Sequence, residues 1–212
     1  MLSFLVIYGT GEGQTAKVAD RIVAALKARG HDAVAVDVDT DRDIAVTDYD
    51  AVVVGASIHT GKHQREIREF VRRHRETLTA VPTAFFQVSL SSASEEGRAA
   101  AADYVETFVE DTGWHPDRIG QFGGALRYSE YSFLKRLLMK QIVKRNPPDA
   151  TGHVEPSGDI EYTDWTEVEA FAADVAAFVE GRLGVTPPAG DGPNGGGGAA
   201  TGLGKSDSGI DR

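Results

Sequence analysis

Residues Leu2–Thr15 read LSFLVIYGTGEGQT, a short apolar run followed at once by glycines and hydroxyl residues. The run Leu2–Tyr8 has the length and the β-rich content of a buried strand, and its glycine boundary favours a strand over a helix. Over Thr15–Arg29 the apolar residues then recur at helical spacing. The opening stretch therefore predicts a buried strand, a tight loop and a helix.

The same alternation of strand-like and helix-like segments continues along the chain. Further strands are predicted at Ala33–Val38, Ala51–Gly55, Thr83–Leu90 and Arg118–Leu126, and further helices at Lys62–Leu78, Glu95–Asp111 and Asp164–Leu183. Strands that alternate with helices imply a parallel sheet covered on both faces. The predicted fold is a three-layer α/β/α arrangement with strand order 2-1-3-4-5 and a ligand at the carboxyl ends of the strands.

Two segments stand outside this pattern. Residues 127–162 form an insertion between the last predicted strand and the last helix. Residues 185–212 are rich in glycine and proline and contain almost no large apolar side chains, which predicts a disordered tail. The predicted organisation is one ligand-binding domain over residues 1–184, followed by that tail.

The composition limits the partners and the location. The 212 residues include 32 acidic and 22 basic side chains, a net charge of −10, which argues against general attraction to nucleic acid. Such acidity is typical of a halophilic, salt-adapted proteome or of an ordinary acidic protein. Cysteine is absent, which excludes disulfides and thiolate metal sites, and no metal site is expected. We see no leader and no membrane-spanning run, so a cytoplasmic location is predicted.

The loop Thr10–Thr15 has the chemistry of a phosphate site. A phosphate there would meet backbone N–H groups, the positive end of a helix dipole and the hydroxyls of Thr10 and Thr15. The loop has no basic side chain before Lys17, and such neutral donors suit a monophosphate. The dinucleotide pattern GxGxxG is not met, because Gln14 stands where the third glycine is required. The alternative is a tight turn without a ligand.

Several strings resemble known flavoproteins. Thr10–Thr15 resembles the flavodoxin phosphate loop. Gly55–Ile58 (GASI), Gly124–Tyr128 (GALRY) and Tyr162–Trp165 (YTDW) resemble the menaquinone-dependent protoporphyrinogen oxidases, which are flavodoxin-like enzymes with a long insertion. The resemblance covers about residues 1–183. It implies a flavodoxin-like fold, FMN as cofactor, and oxidation of protoporphyrinogen IX to protoporphyrin IX in haem biosynthesis with electrons passed to menaquinone.

Carried over by position, this resemblance implies the FMN-binding residues. The phosphate would be held by Thr10, Gly11, Glu12, Gly13, Gln14 and Thr15. The isoalloxazine ring would be flanked by Ser57, Ile58, His59, Thr60 and Gly61 and by Ser89, Leu90, Ser91 and Ser92. Neither ring-flanking loop contains Trp or Tyr, which argues against a tight aromatic sandwich. Arg127 and Tyr128, just beyond the last predicted strand, are predicted to contact the substrate.

Charge near the first ring-flanking loop favours an oxidase over a low-potential carrier. His59, Lys62, His63 and Arg65 follow the third strand, and only Glu66 opposes them. Nearby cations stabilise an anion, so this stretch predicts easier full reduction of the flavin. Alternatively, these residues only begin a solvated helix.

The insertion carries a basic segment. Residues 127–145 hold six basic side chains and one acidic one, and Tyr131–Arg145 is predicted to form an amphipathic helix. Arg136, Lys140 and Lys144 would form a stripe of like charge, whose repulsion an anionic partner would relieve. Lipid headgroups on the inner face of the membrane and porphyrin propionates are both candidates. The alternative is a helix packed on the domain with its charges in solvent.

Two other functions remain open at this point. One is a flavodoxin-type electron carrier without its own substrate, and the other is a flavin-free signalling or scaffold domain. The basic insertion favours the enzyme over the carrier, which has no need of such a helix. Retained flavin would distinguish both flavoproteins from the scaffold.

Overall fold

The computed structural model describes residues 1–40, 44–126, 153–154 and 160–186, which alternate between strands and helices. The strands are β1 (Ser3–Gly9), β2 (Asp32–Asp37), β3 (Ala51–His59), β4 (Lys62–His63), β5 (Thr83–Ser89), β6 (Arg118–Gly123), β7 (Ala125–Leu126), β8 (His153–Val154) and β9 (Ile160–Glu161). The helices are α1 (Gln14–Ala28), α2 (Arg65–Arg73), α3 (Arg75–Ala80), α4 (Glu95–Thr112) and α5 (Trp165–Leu183), with short 3-10 turns at Val46–Asp48 and Ser91–Ala93.

The central sheet has the strand order β2-β1-β3-β5-β6, and every neighbouring pair along it is parallel. The short strand β4 joins this sheet by antiparallel pairing with β3. Counting the long strands alone, this is the predicted order 2-1-3-4-5, so the α/β/α prediction is confirmed. The chain changes direction across the sheet between β2 and β3, which places a ligand crevice at the carboxyl ends of β1 and β3.

Apolar side chains of β1 alternate between two cores. Phe4 and Val6 pack on the face covered by α1 and α5, while Leu5 and Ile7 pack on the face covered by α2 and α4. All four side chains are fully buried. A strand buried on both faces reads as a continuous apolar run, which explains why this segment could be recognised without alternation.

The predicted helix Lys62–Leu78 is wrong at its start and in its continuity. Lys62 and His63 form β4, and His63 pairs with Ile58 of β3 as the second arm of a hairpin. The helical stretch that follows is divided at His74, where ψ is 13°. Lys62 and His63 depart from the helical pattern because their backbone groups form hydrogen bonds with β3.

The predicted strand Arg118–Leu126 is also divided. β6 ends at Gly123, and β7 belongs to a separate antiparallel sheet of order β7-β9-β8. The chain returning from the insertion crosses at this point, since a Cβ on Gly123 would lie 2.3 Å from the carbonyl oxygen of Tyr162. Glycine is therefore required at position 123, because the backbone of Tyr162 approaches closely there. Beyond Gly123 the chain leaves the central sheet and joins the small antiparallel sheet.

Some predictions fall wholly or partly outside the described residues. Arg127, Tyr128 and the predicted helix Tyr131–Arg145 are outside, and so is the tail from residue 187 onward. Val185, assigned to the tail, instead packs against the core, and its N–H donates to the Glu180 carbonyl at 2.9 Å. Among the helices of the described ranges, none has the length and apolar character needed to cross a bilayer.

Candidate functional site

Three loops meet at one edge of the central sheet. They follow β1, β3 and β5, which are adjacent and parallel, so their carboxyl ends lie side by side. The register confirms the proximity, because Gly9 pairs with Ala56 and Ser57 pairs with Val88. The fifteen predicted FMN-binding residues lie in these three loops, in the strand ends that precede them or in the first turn of α1; Ser57–His59 end β3, and Ser89 ends β5.

The loop after β1 is shaped to receive an anion. Gly13 precedes α1 with φ of 82°, a left-handed conformation that favours glycine, and its N–H donates to Thr10 Oγ1 at 2.9 Å. Among the three long helices, α4 and α5 begin with side-chain caps from Ser94 and Asp164, whereas α1 has no side-chain cap. The first-turn N–H groups of α1 have no intrahelical acceptor and point toward the loop.

Two buried polar atoms at the start of α1 lack a hydrogen-bond partner among the described residues. Thr15 is 1% exposed and Gln14 is 5% exposed. Within the described ranges, Thr15 Oγ1 and Gln14 Oε1 make no hydrogen bond. Buried polar atoms are nearly always satisfied, so these two indicate a partner beyond the described residues. A hydroxyl donor and an uncapped helix terminus fit the phosphate ester of a mononucleotide.

The first ring-flanking loop is a tight hairpin. Thr60 and Gly61 have φ of 50° and 80°, and the flanking His59 and Lys62 pair across the turn. Positive φ at both central residues is the conformation of the two-residue hairpin turn, which matches the twist of the strands. His59, Thr60 and Gly61 are exposed, so the tip of the hairpin is accessible to a ligand.

Two predicted ring-contact serines use their polar groups inside the protein. Ser57 donates its N–H to Gln64 Oε1 at 3.0 Å, and its hydroxyl accepts from Gln64 Nε2. Ser89 is 4% exposed, and its Oγ accepts the N–H of Ser92 at 3.0 Å. These hydroxyls hold their loops in shape. Sequence reasoning missed Gln64, since its role depends on the hairpin.

The predicted cationic cluster near the flavin is smaller than the sequence indicated. His63 is buried against Phe108, and its Nε2 lies 3.1 Å from Gln87 Oε1. Desolvation lowers the pKa of His63 to about 4, and the charge of nearby Arg68 acts in the same direction, so His63 is neutral at pH 7. Arg65 is paired with Glu69 at 2.6 Å. The expectation of four cations beside the ring is therefore wrong.

His63 makes stability depend on pH. In the unfolded chain this histidine ionises near 6.5, whereas in the fold its pKa is about 4, so the unfolded state takes up the proton first as pH falls. The stability that neutral His63 contributes is therefore fully present above pH 6.5, and it is lost as the pH falls toward 4. We expect this residue to account for a loss of about 2 kcal/mol between pH 7 and pH 5.

Urea unfolding at pH 7 and pH 5 checks this expectation. The variant His63→Gln has no imidazole to protonate and keeps a side chain able to bond Gln87, so its loss over the same range should be smaller by about that amount. Parallel losses in the two proteins would contradict the assignment.

The chain returning from the insertion contributes site residues that sequence reasoning missed. Gln14 Nε2 donates to Thr163 Oγ1 at 2.8 Å, and Lys17 pairs with Glu161 at 3.0 Å. Both contacts tie the start of α1 to the segment before α5. The YTDW string, which contains Thr163, was a usable signal, but it indicated a family rather than a contact.

Comparisons with known proteins agree with this geometry. A family model described as flavodoxin domain matches residues 5–151. The protoporphyrinogen IX dehydrogenase (quinone) of Escherichia coli K12 is 33% identical over 177 residues, 83% of this chain and 96% of that protein. The protein of that name from Leishmania major is 33% identical over 82% of this chain and 74% of its own length.

A solved structure shares the fold. It is a short-chain flavodoxin associated with a non-canonical PDU bacterial microcompartment, and it superposes with a TM-score of 0.50 at 15% identity. The match covers 84% of this chain and 99% of that one. At this identity the likeness concerns the arrangement of strands and helices alone.

Proposed function

Because this chain belongs to the flavodoxin domain family and, within it, to the quinone-dependent protoporphyrinogen IX dehydrogenases, we propose that it binds FMN and oxidises protoporphyrinogen IX to protoporphyrin IX. The observation that carries the cofactor assignment is the buried Thr15 hydroxyl, which lacks a partner among the described residues and lies at an uncapped helix start. The substrate assignment rests on relatives that match over most of this chain and most of their own length.

The binding roles follow from the three loops. Thr10–Thr15 and the first-turn N–H groups of α1 hold the phosphate, while Ser57–Gly61 and Ser89–Ser92 flank the ring. When bound, FMN supplies the redox chemistry between porphyrinogen and quinone, and the protein supplies binding, orientation and electrostatics. The FMN-binding domain extends over residues 1–184, with Val185 also packed against its core.

The proposed substrate-binding residues lie just beyond the point where the chain leaves the central sheet, at the end of β6. The N–H of Gly124 donates to the carbonyl of Ser89 at 2.9 Å, which anchors the start of the insertion beside the second ring-flanking loop. Arg127 follows three residues later, within about 10 Å of extended chain. Its guanidinium would pair with a porphyrin propionate, and Tyr128 would contact the ring system.

The proposed electron acceptor is menaquinone, and the pathway is haem biosynthesis. A lipid-soluble quinone requires the protein to reach a membrane surface. The basic segment Tyr131–Arg145 supports this step, because a basic amphipathic helix binds anionic headgroups. We therefore place the protein in the cytoplasm, in peripheral contact with the inner face of the cell membrane.

Anaerobic mixing of the FMN-loaded protein with protoporphyrinogen IX and a menaquinone analogue tests the proposal. We expect porphyrin fluorescence to rise rapidly and only when the quinone is present. Deletion of Tyr131–Arg145 should abolish this rise while FMN stays bound. Mixtures without protein correct for spontaneous oxidation.

The other outcomes identify the alternatives. A loaded protein that forms no porphyrin but exchanges electrons with a redox partner would be an electron carrier. A purified protein that retains no FMN and binds none on addition would be a flavin-free domain.

A further inference from the structure

The site contains a hydrogen-bonded chain that links the insertion to the phosphate loop. Thr163 Oγ1 lies 2.6 Å from the carbonyl oxygen of Gly123, and Gln14 Nε2 lies 2.8 Å from Thr163 Oγ1. A carbonyl oxygen accepts and cannot donate, so the hydroxyl hydrogen of Thr163 is committed to Gly123. The hydroxyl oxygen is then left as an acceptor for Gln14.

This arrangement fixes the direction of the Gln14 amide. Only the amide nitrogen carries hydrogens, so Nε2 must face Thr163 and Oε1 must face away from it. Gln14 is 5% exposed, and its Oε1 has no hydrogen-bond partner among the described residues. A buried acceptor in a defined orientation is thus left at the start of α1.

The chemistry of that acceptor excludes the phosphate as its partner. An ionised phosphate ester offers only acceptor oxygens, so it cannot donate to Oε1. The adjoining Thr15 hydroxyl and the first-turn N–H groups are donors and suit the phosphate. The polyhydroxyl chain of FMN carries the donors that Oε1 requires.

We propose that Thr163 is a positioning residue, which holds the Gln14 amide so that Gln14 Oε1 accepts a hydrogen bond from a ribityl hydroxyl of the flavin. This inference rests on the proposed FMN function. The side chain of Gln14 thereby binds the ribityl chain, whereas its backbone N–H and the Thr15 hydroxyl bind the phosphate.

Thr163 is itself held by the backbone around it. The N–H of Tyr162 donates to the Gly124 carbonyl at 3.0 Å, and the N–H of Gly124 donates to the Ser89 carbonyl at 2.9 Å. The returning segment packs closely on Gly123, where no Cβ would fit. The second ring-flanking loop and the phosphate loop are therefore tied together at Thr163, the first residue after the insertion.

Flavin fluorescence titration of the apoprotein tests this role. Thr163→Val, which keeps the side-chain shape, should raise the Kd for FMN about 10-fold, because Gln14 Nε2 and the Gly123 carbonyl lose their partner. Thr163→Ser, which keeps the hydroxyl, should stay within about twofold of the wild type. Circular dichroism of each apoprotein confirms folding.

Two further measurements separate positioning from a general structural effect. Gln14→Met should weaken FMN to a similar extent, and adding Thr163→Val to it should change the Kd no further, since the two residues act as a unit. With an FMN analogue that lacks the ribityl hydroxyls, Thr163→Val and the wild type should bind equally. If Thr163→Val does not fold, the affinities of Gln14→Met and of the wild type for the analogue are compared instead, and they should be equal.

Contrary results have distinct meanings. A wild-type protein that binds no FMN would overturn the proposed function. Binding by the wild type with unchanged affinity in Thr163→Val, or with additive losses in the double variant, would overturn the positioning role alone. Equal weakening of FMN and the analogue by Thr163→Val would overturn the ribityl assignment.

Discussion

Replacing Thr15 with valine is expected to weaken FMN binding by about 10- to 100-fold, because a hydrogen bond to a charged group contributes about 1.5–3 kcal/mol. The Thr15 hydroxyl is buried, and no acceptor or donor in the described part of the chain satisfies it. Valine has nearly the same shape, so the apoprotein should be as stable as the wild type or slightly more stable. Cofactor affinity and apoprotein stability should therefore change in different directions.

Flavin titration and thermal unfolding of the apoprotein measure the two quantities. Thr15→Ser keeps the hydroxyl and should retain most of the affinity. Thr107→Val is the matched control, since the Thr107 hydroxyl donates to the Asp103 carbonyl within α4 at 2.9 Å, on an exposed surface. Thr15→Val with wild-type affinity for FMN would remove this hydroxyl from the phosphate site.

Replacing Glu180 with alanine is expected to cost about 3 kcal/mol of stability, since breaking a buried ion pair leaves its partners uncompensated. Glu180 is 4% exposed, and its carboxylate lies 2.7 Å from Arg29 and 2.8 Å from the buried ring of His31. The hydrogen bond from Arg29 lowers the pKa of Glu180, despite burial. This cluster joins the end of α1 and the start of β2 to α5.

A second glutamate on α5 provides the comparison. Glu169 is paired with Arg21 at 2.7 Å, but both side chains are about half exposed. Glu169→Ala should therefore cost less than about 1 kcal/mol in urea unfolding. Neither variant should alter the FMN affinity of the folded protein, because Glu180 lies at the amino end of the sheet, opposite the loops. Similar losses of stability in the two variants would contradict the role given to burial.

Much of the candidate site could be predicted because its signals are local. The loop Thr10–Thr15 combines glycines, hydroxyls and a following helical period within a few residues, and the structure places it at the start of α1. The two ring-flanking loops followed from strands recognisable as apolar runs. The roles of Ser57 and Ser89 inside their loops could not be predicted, because each depends on a partner chosen by the local fold.

The amino-acid sequence by itself determined the α/β/α architecture, the strand order and the position of the loop Thr10–Thr15, since each is encoded in periodicity and composition over short windows. Only the tertiary structure decided that Lys62 and His63 form a strand, that His63 is neutral, and that Gln14 meets Thr163 across 149 positions of sequence. The physical reason is that burial and pairing between distant segments depend on the assembled core. A local sequence pattern indicates which conformations a segment favours, and packing against neighbouring segments determines which of these conformations the folded protein adopts.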